Sequence, residues 1–255
     1  MDDLIFLIPA RSGSKRLKNK NLRSLGKKSI LSDKISNCLK TNLGKVIVST
    51  DCKKISKASI NAGAEVPFLR DKSISNSKST MVSVILHYLN FCKKNKLHIP
   101  KYLALVPVTN PFLKSKSIIK AFNKLKKNKK YNSIISVFKT TEDPLSLVKI
   151  NDNRIDFKTL NYNKLNYFSF ERSQDKPRFM KISSSIQITK TKFFFKFLNK
   201  NIKKIKVKPF DVNSCCSFII NQFESYDINS KNDFNLAKRF LKKQKLLRLF
   251  AENFF

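Results

Sequence analysis

Few of the residues on which hydrolytic and metal enzymes rely occur in this chain. It contains two histidines, five cysteines and four glycines among 255 residues. With two histidines and no base placed beside a nucleophile, the sequence argues against catalysis through a serine or cysteine nucleophile. The cysteines are odd in number and have no Cys-x-x-Cys spacing, so they give no sign of a disulfide framework or a zinc site. We interpret them as buried thiols in a reducing compartment.

Long hydrophobic runs are also missing. No segment approaches the roughly 18 apolar residues that cross a bilayer, so we expect no membrane segment. Met1, Asp2 and Asp3 lead directly into a short apolar run instead of the basic start of a signal peptide, and we therefore expect a cytoplasmic protein. The chain is 41% hydrophobic and can bury a core. Because no glycine- or proline-rich linker divides it, we expect one domain over residues 1–255.

Acidic residues are scarce. There are 17 of them against 53 lysines and arginines, and the formal net charge is +36. A charge of this size suggests nucleic-acid binding. Only nine of the basic residues are arginine, however, which is the side chain that binds phosphates and guanines by paired hydrogen bonds. Since the lysines run from end to end of the chain, we expect a solvated basic surface and no specific nucleic-acid partner.

What the sequence does contain is a regular alternation of short apolar runs and amphipathic segments. The runs predict strands at residues 4–8, 45–51, 65–69, 102–106, 133–138, 183–189 and, as an edge strand, 203–209. The amphipathic segments predict helices at residues 29–40, 52–62, 79–94, 117–125 and 192–198. A last helix is predicted after Ser230, with Asp233 as its capping partner. Strands that alternate with helices favour an α/β fold with a mostly parallel sheet.

The alternation fails from about residue 140 to residue 180. Short strand-like pieces and polar turns there predict an inserted, β-rich arm. Arms of this kind build either a dimer interface or a lid, and the sequence leaves both open.

The first predicted strand leads into a basic loop. Pro9 ends the strand, and the loop after it has one glycine and six cations, Arg11, Lys15, Arg16, Lys18, Lys20 and Arg23. Ligands of open α/β sheets bind at the carboxyl ends of the strands, so this loop is a candidate phosphate site. Cations at a strand end with few acids nearby suit phosphoryl or nucleotidyl transfer. The alternative is a solvated loop in a lysine-rich chain.

Residues 8–22, IPARSGSKRLKNKNL, resemble the first motif of the acylneuraminate cytidylyltransferases, which are CMP-sialic acid synthetases. Further segments resemble the same family in the same order: VIVSTD at 46–51, GAEVPFLR at 63–70, PVTNPF at 107–112, RSQDKP at 172–177 and YDIN at 226–229 with Asp233. The resemblance implies a Rossmann-like fold and a homodimer formed through the arm. It also implies a Mg²⁺-dependent reaction in which CTP and a 2-keto-3-deoxy sugar acid give a CMP-sugar and pyrophosphate.

The resemblance further implies roles for individual residues. The CTP site would comprise Ala10, Arg11, Ser14, Lys15, Lys20, Asn21, Arg70 and Thr80. Arg11 and Lys20 are the catalytic candidates, because their charges would offset charge that builds up on the α-phosphate and the departing pyrophosphate. Candidates on the sugar side are Gln174 and Lys181. The alternatives without a role in binding are that Lys15 and Lys20 are solvated lysines and that Arg70 forms a surface ion pair.

The implied metal site departs from the family pattern. Asp227 matches the first metal carboxylate of the family, whereas Asn229 stands in place of the second. Because Mg²⁺ is commonly held by one or two carboxylates and substrate phosphates, Asp227 with the Asn229 carbonyl could still hold it. The alternatives are a weakened or inactive homologue that keeps nucleotide binding, and a simple turn residue at Asp227.

The implied sugar pocket departs as well. Residues 183–188, SSSIQI, stand where the family often has NGAIYI, so the acyl-sugar preference is open. Asn21 and residues 109–111 argue against the branch that activates the eight-carbon acid KDO. Arg16 and the Thr-Asn-Pro-Phe loop favour enzymes for bacterial relatives of sialic acid, such as pseudaminic or legionaminic acid.

Overall fold

The computed structural model describes residues 3–14, 16–76, 79–140, 143–147, 149–151, 154–156, 169, 172–198, 200 and 207–254. The strands in this part are β1 (Leu4–Pro9), β2 (Ser24–Leu25), β3 (Lys28–Ser29), β4 (Gly44–Ser49), β5 (Tyr102–Leu105), β6 (Ser133–Lys139), β7 (Lys149–Asn151), β8 (Arg154–Asp156), β9 (Met180–Lys190) and β10 (Cys215–Ile219). The α-helices are α1 (Ile30–Leu39), α2 (Lys53–Asn61), α3 (Met81–Lys94), α4 (Ser115–Lys127), α5 (Lys192–Phe195) and α6 (Lys231–Phe254).

Six of these strands form a central sheet in the order β10-β6-β9-β5-β1-β4. β1 pairs in parallel with β4 and β5, and β10 pairs in parallel with β6. β9 is antiparallel to both of its neighbours. The sheet is therefore mostly parallel, as predicted, with one reversed strand near its middle.

The sheet is covered by helices on both faces. In β1, Leu4, Phe6 and Ile8 pack with the inner residues of α1, α2, α4 and α6, whereas Ile5 and Leu7 pack with those of α3 and α5. This alternation explains why the first strand is an unbroken apolar run, since a strand buried on both faces needs apolar residues at every position. The burial also fixes where β1 ends and the basic loop begins.

β9 is reversed because the chain returns to the sheet beside β6 without a helical crossover. Lys139, at the end of β6, pairs with Met180 at the start of β9, and the predicted arm lies between them. The pairing changes register between Ile135 and Ser136. The Ser136 hydroxyl bridges this irregularity, because it accepts from Ile186 N at 3.0 Å and donates to the Ser183 carbonyl at 3.1 Å.

Only part of the predicted arm can be described. β7 and β8 pair antiparallel within it, with the backbone of Lys149 in register with that of Asp156. Residues 157–168 and 170–171 lie outside the described residues, so a dimerisation arm stays a prediction. No helix in the described ranges is long and apolar enough to cross a membrane.

One strand prediction is wrong, and one edge strand was not predicted. Residues 65–69 form no strand but two isolated bridges, to Ile47 of β4 and to Thr50 just after it, because Pro67 has no N–H to donate to a ladder. The sheet edge on the other side is β10, which the sequence pattern did not predict. The edge strand predicted at 203–209 lies mostly outside the described residues, and Val207 and Lys208 belong to no strand.

Candidate active site

A cavity of about 610 Å³ opens at the carboxyl ends of β1 and β5, in the size range of small-molecule sites. Six of the residues predicted for the site line it: Arg11, Ser14, Lys20, Asn21, Arg70 and Asn229. These come from the two ends of the chain and from the segment after β4. The fold thus brings together residues that are more than 200 positions apart in the sequence.

The basic loop is held in place by its own backbone and by β4. Ala10, which is buried, donates from its N–H to the Ser49 carbonyl at 2.9 Å. Ser12 donates from its N–H and its hydroxyl to the two carboxylate oxygens of Asp51, both at 2.8 Å. Asn21 is 7% exposed, and its side chain donates to the Arg11 carbonyl at 2.9 Å. The loop conformation that presents Arg11 is therefore fixed from both sides.

Lys20 joins this loop to the segment near the C-terminus. Its Nζ donates to the Ile228 carbonyl at 3.1 Å. Burial lowers the pKa of Lys20 below its ordinary 10.5, the Asp227 carboxylate acts in the opposite direction, and the nearby Arg16 and Arg11 lower the pKa further. Lys20 is half-buried between cations and a carboxylate. The alternative that it is a solvated surface lysine is therefore wrong.

Arg70 is a buried residue of the cavity wall. It is 5% exposed, and its Nη2 donates to the Ser49 carbonyl at 2.6 Å. Burial lowers its pKa, against the effect of the Asp51 carboxylate. Its Nε is buried and has no hydrogen-bond partner among the described residues. The surface ion-pair alternative is therefore wrong, and Arg70 is a buried guanidinium that lines the cavity.

Residues 227–229 carry the predicted metal ligands. The Asp227 Oδ2 accepts a 2.8 Å hydrogen bond from Asn229 Nδ2, and the Asn229 Oδ1 accepts one of 3.0 Å from Arg16. Asp227 Oδ1 is buried without a hydrogen-bond partner in the part of the chain that the structure describes. A buried carboxylate oxygen is costly unless something binds it, so this atom fits a cation ligand.

One carboxylate of this site is thus available to a metal. Within the described ranges there is no cluster of three histidine, cysteine or acidic side chains that could hold an ion. Mg²⁺ accepts one carboxylate if substrate phosphates complete its shell. The residues present therefore fit a magnesium ion that arrives with a nucleotide. Asn229 as a ligand stays a prediction, since its carbonyl oxygen is engaged by Arg16.

Asp233 serves as a cap instead of a ligand, as predicted. Its Oδ2 accepts from the N–H groups of Asn229 and Ser230, at 2.9 and 2.7 Å, while its own N–H donates to the Ser230 hydroxyl at 3.2 Å. Burial alone would raise the pKa of Asp233, but these hydrogen bonds leave it below the usual value. The cap fixes the start of α6 directly after the predicted metal-site residues.

Other predicted residues are not brought to the cavity wall. Ala10 and Asp227 do not line the cavity, although Asn229, two residues after Asp227, does, and Lys15 lies outside the described residues. Thr80 caps α3, accepting from Ser83 N at 3.1 Å, and its two sequence neighbours line the cavity. Gln174 and Lys181 are exposed and do not line the cavity, so their role on the sugar side stays a prediction.

Several polar residues of the cavity were not predicted. They are Arg16, Asn76, Ser79, Thr109, Ser184 and Gln187. The Oε1 of Gln187 is buried and lacks a hydrogen-bond partner among the described residues. The departure from the family pattern at 183–188 was the signal that could have identified Ser184 and Gln187. Asn76 and Ser79 lie in an irregular segment that no periodicity marks.

Residues 5–245 match the family model described as Cytidylyltransferase. The chain belongs to this family. The predicted family and the Rossmann-like α/β fold are thereby confirmed. A solved structure titled as CMP:2-keto-3-deoxy-manno-octonic acid synthetase complexed with CTP superposes with a TM-score of 0.66. The match covers 94% of this chain and 99% of that one, at 11% identity, and so it concerns the fold alone.

Two curated relatives resemble this cytidylyltransferase at the sequence level. The N-acylneuraminate cytidylyltransferase of Escherichia coli O18:K1:H7 is 28% identical over 235 residues, which cover 92% of this chain and 51% of that protein. The chain thus spans about half of its length. The CMP-N,N'-diacetyllegionaminic acid synthase of Legionella pneumophila is 28% identical over 239 residues, covering 93% of this chain and 96% of that enzyme.

Proposed function

We propose that this cytidylyltransferase condenses CTP with a nonulosonic, sialic-acid-like sugar acid to give a CMP-sugar and pyrophosphate. The observation that carries the proposal is the hydrogen bond from Lys20 to the Ile228 carbonyl, which joins the basic loop to the residue beside Asp227. It links the loop that carries the predicted phosphate-binding cations to the residue that follows Asp227, the predicted metal carboxylate. The names of the two curated relatives support a nonulosonic acid as the acceptor.

In the proposed reaction, the anomeric hydroxyl of the sugar acid attacks the α-phosphorus of CTP. A bond forms between that oxygen and phosphorus, the bond to the bridging oxygen breaks, pyrophosphate leaves, and the hydroxyl proton passes to solvent. Such a transfer needs positioned charge more than a protein nucleophile. Arg11 and Lys20 would supply the charge, and Asn21 and Arg70 would bind the nucleoside.

Magnesium would be held by Asp227 together with the phosphates of CTP. When bound, the ion neutralises charge on the phosphate oxygens. A cytoplasmic homodimer joined through the arm remains part of the same prediction.

The second candidate function is a non-catalytic descendant that still binds nucleotide, suggested by Asn229. The curated relatives have the names of enzymes, which favours the active enzyme. The single free oxygen of Asp227 also suffices for a metal that brings its own phosphate ligands.

Pyrophosphate release from CTP with a panel of nine-carbon ulosonic acids tests the proposal. We expect Arg11→Ala to lower kcat/KM by about 10²–10³, as for other groups that stabilise developing charge. Lys18→Ala is the matched control, because Lys18 belongs to the same loop but is exposed and does not line the cavity. If no sugar acid gives more pyrophosphate with the wild type than with Arg11→Ala, the proposal is wrong.

A further inference from the structure

Lys34 lies on the inner face of α1, where a lysine is unusual. Its side chain is 2% exposed, and its Nζ donates a 2.5 Å hydrogen bond to the main-chain oxygen of Asn110. None of the ion pairs among the described residues includes it. The titratable groups that face it are Asp33 and Cys38 of its own helix and Glu224 of the segment before α6. A buried ammonium with so little compensation costs stability, so its presence calls for another reason.

Asn110, which accepts from Lys34, connects several parts of the site. It is fully buried, and its Nδ2 donates to the carbonyl oxygens of Ser225 and Tyr226, at 3.2 Å each. Its Oδ1 accepts a 3.3 Å hydrogen bond from the hydroxyl of Ser184, which lines the cavity. The first two contacts hold the backbone immediately before Asp227.

A second contact joins the same loop to the same segment. The N–H of Ile228 donates to the Thr109 carbonyl at 2.8 Å, next to the Asn110 contacts. Asp227 therefore has loop residues bound to the backbone on both sides of it. The position of its carboxylate depends on where Thr109 and Asn110 lie, and Lys34 is the side chain that holds this point of the loop from the core.

We propose that Lys34 is a positioning residue for Asp227, acting through the Asn110 carbonyl and side chain to place the carboxylate that meets a nucleotide-bound divalent cation. The inference rests on the proposed function, because it takes Asp227 as the metal-holding residue. If Lys34 only fills space beneath the loop, an apolar side chain of similar length serves equally well.

The test is Mn²⁺ binding by the full chain in the presence of CTP, followed by the paramagnetic resonance signal of free Mn²⁺. We expect Lys34→Met to weaken Mn²⁺ binding about tenfold, the usual effect of removing a group that orients a metal ligand. Asn37→Ala is the matched control. Asn37 lies one turn further along α1 and donates to the Leu113 carbonyl of the same loop, away from the Asp227 contacts. That variant should lose thermal stability and keep wild-type Mn²⁺ affinity.

Asn110→Ala provides a second route if Lys34→Met does not fold. It removes the side-chain contacts to residues 225 and 226, and we expect a similar loss of Mn²⁺ affinity. Where both single variants fold, the double variant should bind Mn²⁺ no more weakly than the weaker-binding single variant. The reason is that Lys34 acts on Asp227 through Asn110, so the two losses are not additive. Wild-type Mn²⁺ affinity in Lys34→Met, additive losses in the double variant, or no Mn²⁺ binding by the wild type overturns the inference. Pyrophosphate release by the wild type tests the proposed function separately.

Discussion

Replacing Lys34 by methionine should stabilise the protein at neutral pH. Burial lowers the pKa of Lys34 from its ordinary 10.5 to about 8, with Cys38, Asp33 and Glu224 acting in the opposite direction. At about 1.4 kcal/mol for each pKa unit, the charged form costs about 3 kcal/mol in the folded state. Methionine removes this cost, but it also removes a hydrogen bond from a charged group to the buried Asn110 carbonyl, worth about 2 kcal/mol. The net expectation is an increase of about 1 kcal/mol in the free energy of unfolding at pH 7.

The pH dependence of stability is a second test of whether Lys34→Met stabilises the protein. Above pH 10.5 Lys34 is neutral in both states and the cost is absent. As the pH falls towards 8, the unfolded chain binds a proton that the folded protein does not, so wild-type stability declines; below pH 8 the whole cost applies. The stability advantage of Lys34→Met should therefore be largest at pH 7 and shrink as the pH approaches 10.5.

Thermal denaturation of wild type and Lys34→Met across this range measures the effect. An advantage of about 1 kcal/mol corresponds to a Tm about 2–4 °C higher at pH 7 in a domain of this size. Comparing the two proteins at each pH cancels the titration of all other groups. A variant less stable than the wild type at pH 7, or an advantage that does not change with pH, would refute the reasoning.

Two further predictions concern the segment after Asp227, the carboxylate proposed to hold the metal. Asn229→Asp should lower the Mg²⁺ concentration needed for half-maximal pyrophosphate release, because it supplies a second carboxylate. An unchanged or higher requirement would mean that Arg16 pairs with the new carboxylate and that position 229 does not bind metal. Ser230→Ala should lower the free energy of unfolding by about 1 kcal/mol, the usual cost of a lost helix cap. Thermal denaturation checks this against Lys231→Ala, an exposed neighbour, and equal Tm values for the two variants would contradict the capping role.

The sequence predicted the strands that the fold buries on both faces and missed one at the edge. β1 is an unbroken apolar run, and a short run of this kind is typical of a strand buried on both faces. In β10 only Cys216 is buried, so no hydrophobic pattern marked Cys215–Ile219 as a strand. Residues 65–69 have an apolar composition that favours a strand, but Pro67 prevents a regular ladder.

Site residues that belong to a recognisable sequence motif were predicted. Those that only the packing of the fold brings to the cavity were missed. Arg11 and Lys20 lie in a segment whose order of residue types is distinctive, whereas Asn76 and Ser79 reach the cavity through an irregular segment. Lys34 did leave a signal, because it lies three residues after Leu31 and four before Cys38, on the apolar face of the predicted helix. In a chain with 53 basic residues, one lysine on that face was easily overlooked.

The register change in β9 has a consequence for how this chain tolerates altered length. Met180 to Ser183 pair with β6 in one register and Gln187 to Thr189 in another, while Ser136 bridges the residues between. The half of β9 that leads out of the arm is therefore paired independently of the half that carries Gln187. Insertions or deletions in the arm can change the outer pairing without moving Gln187.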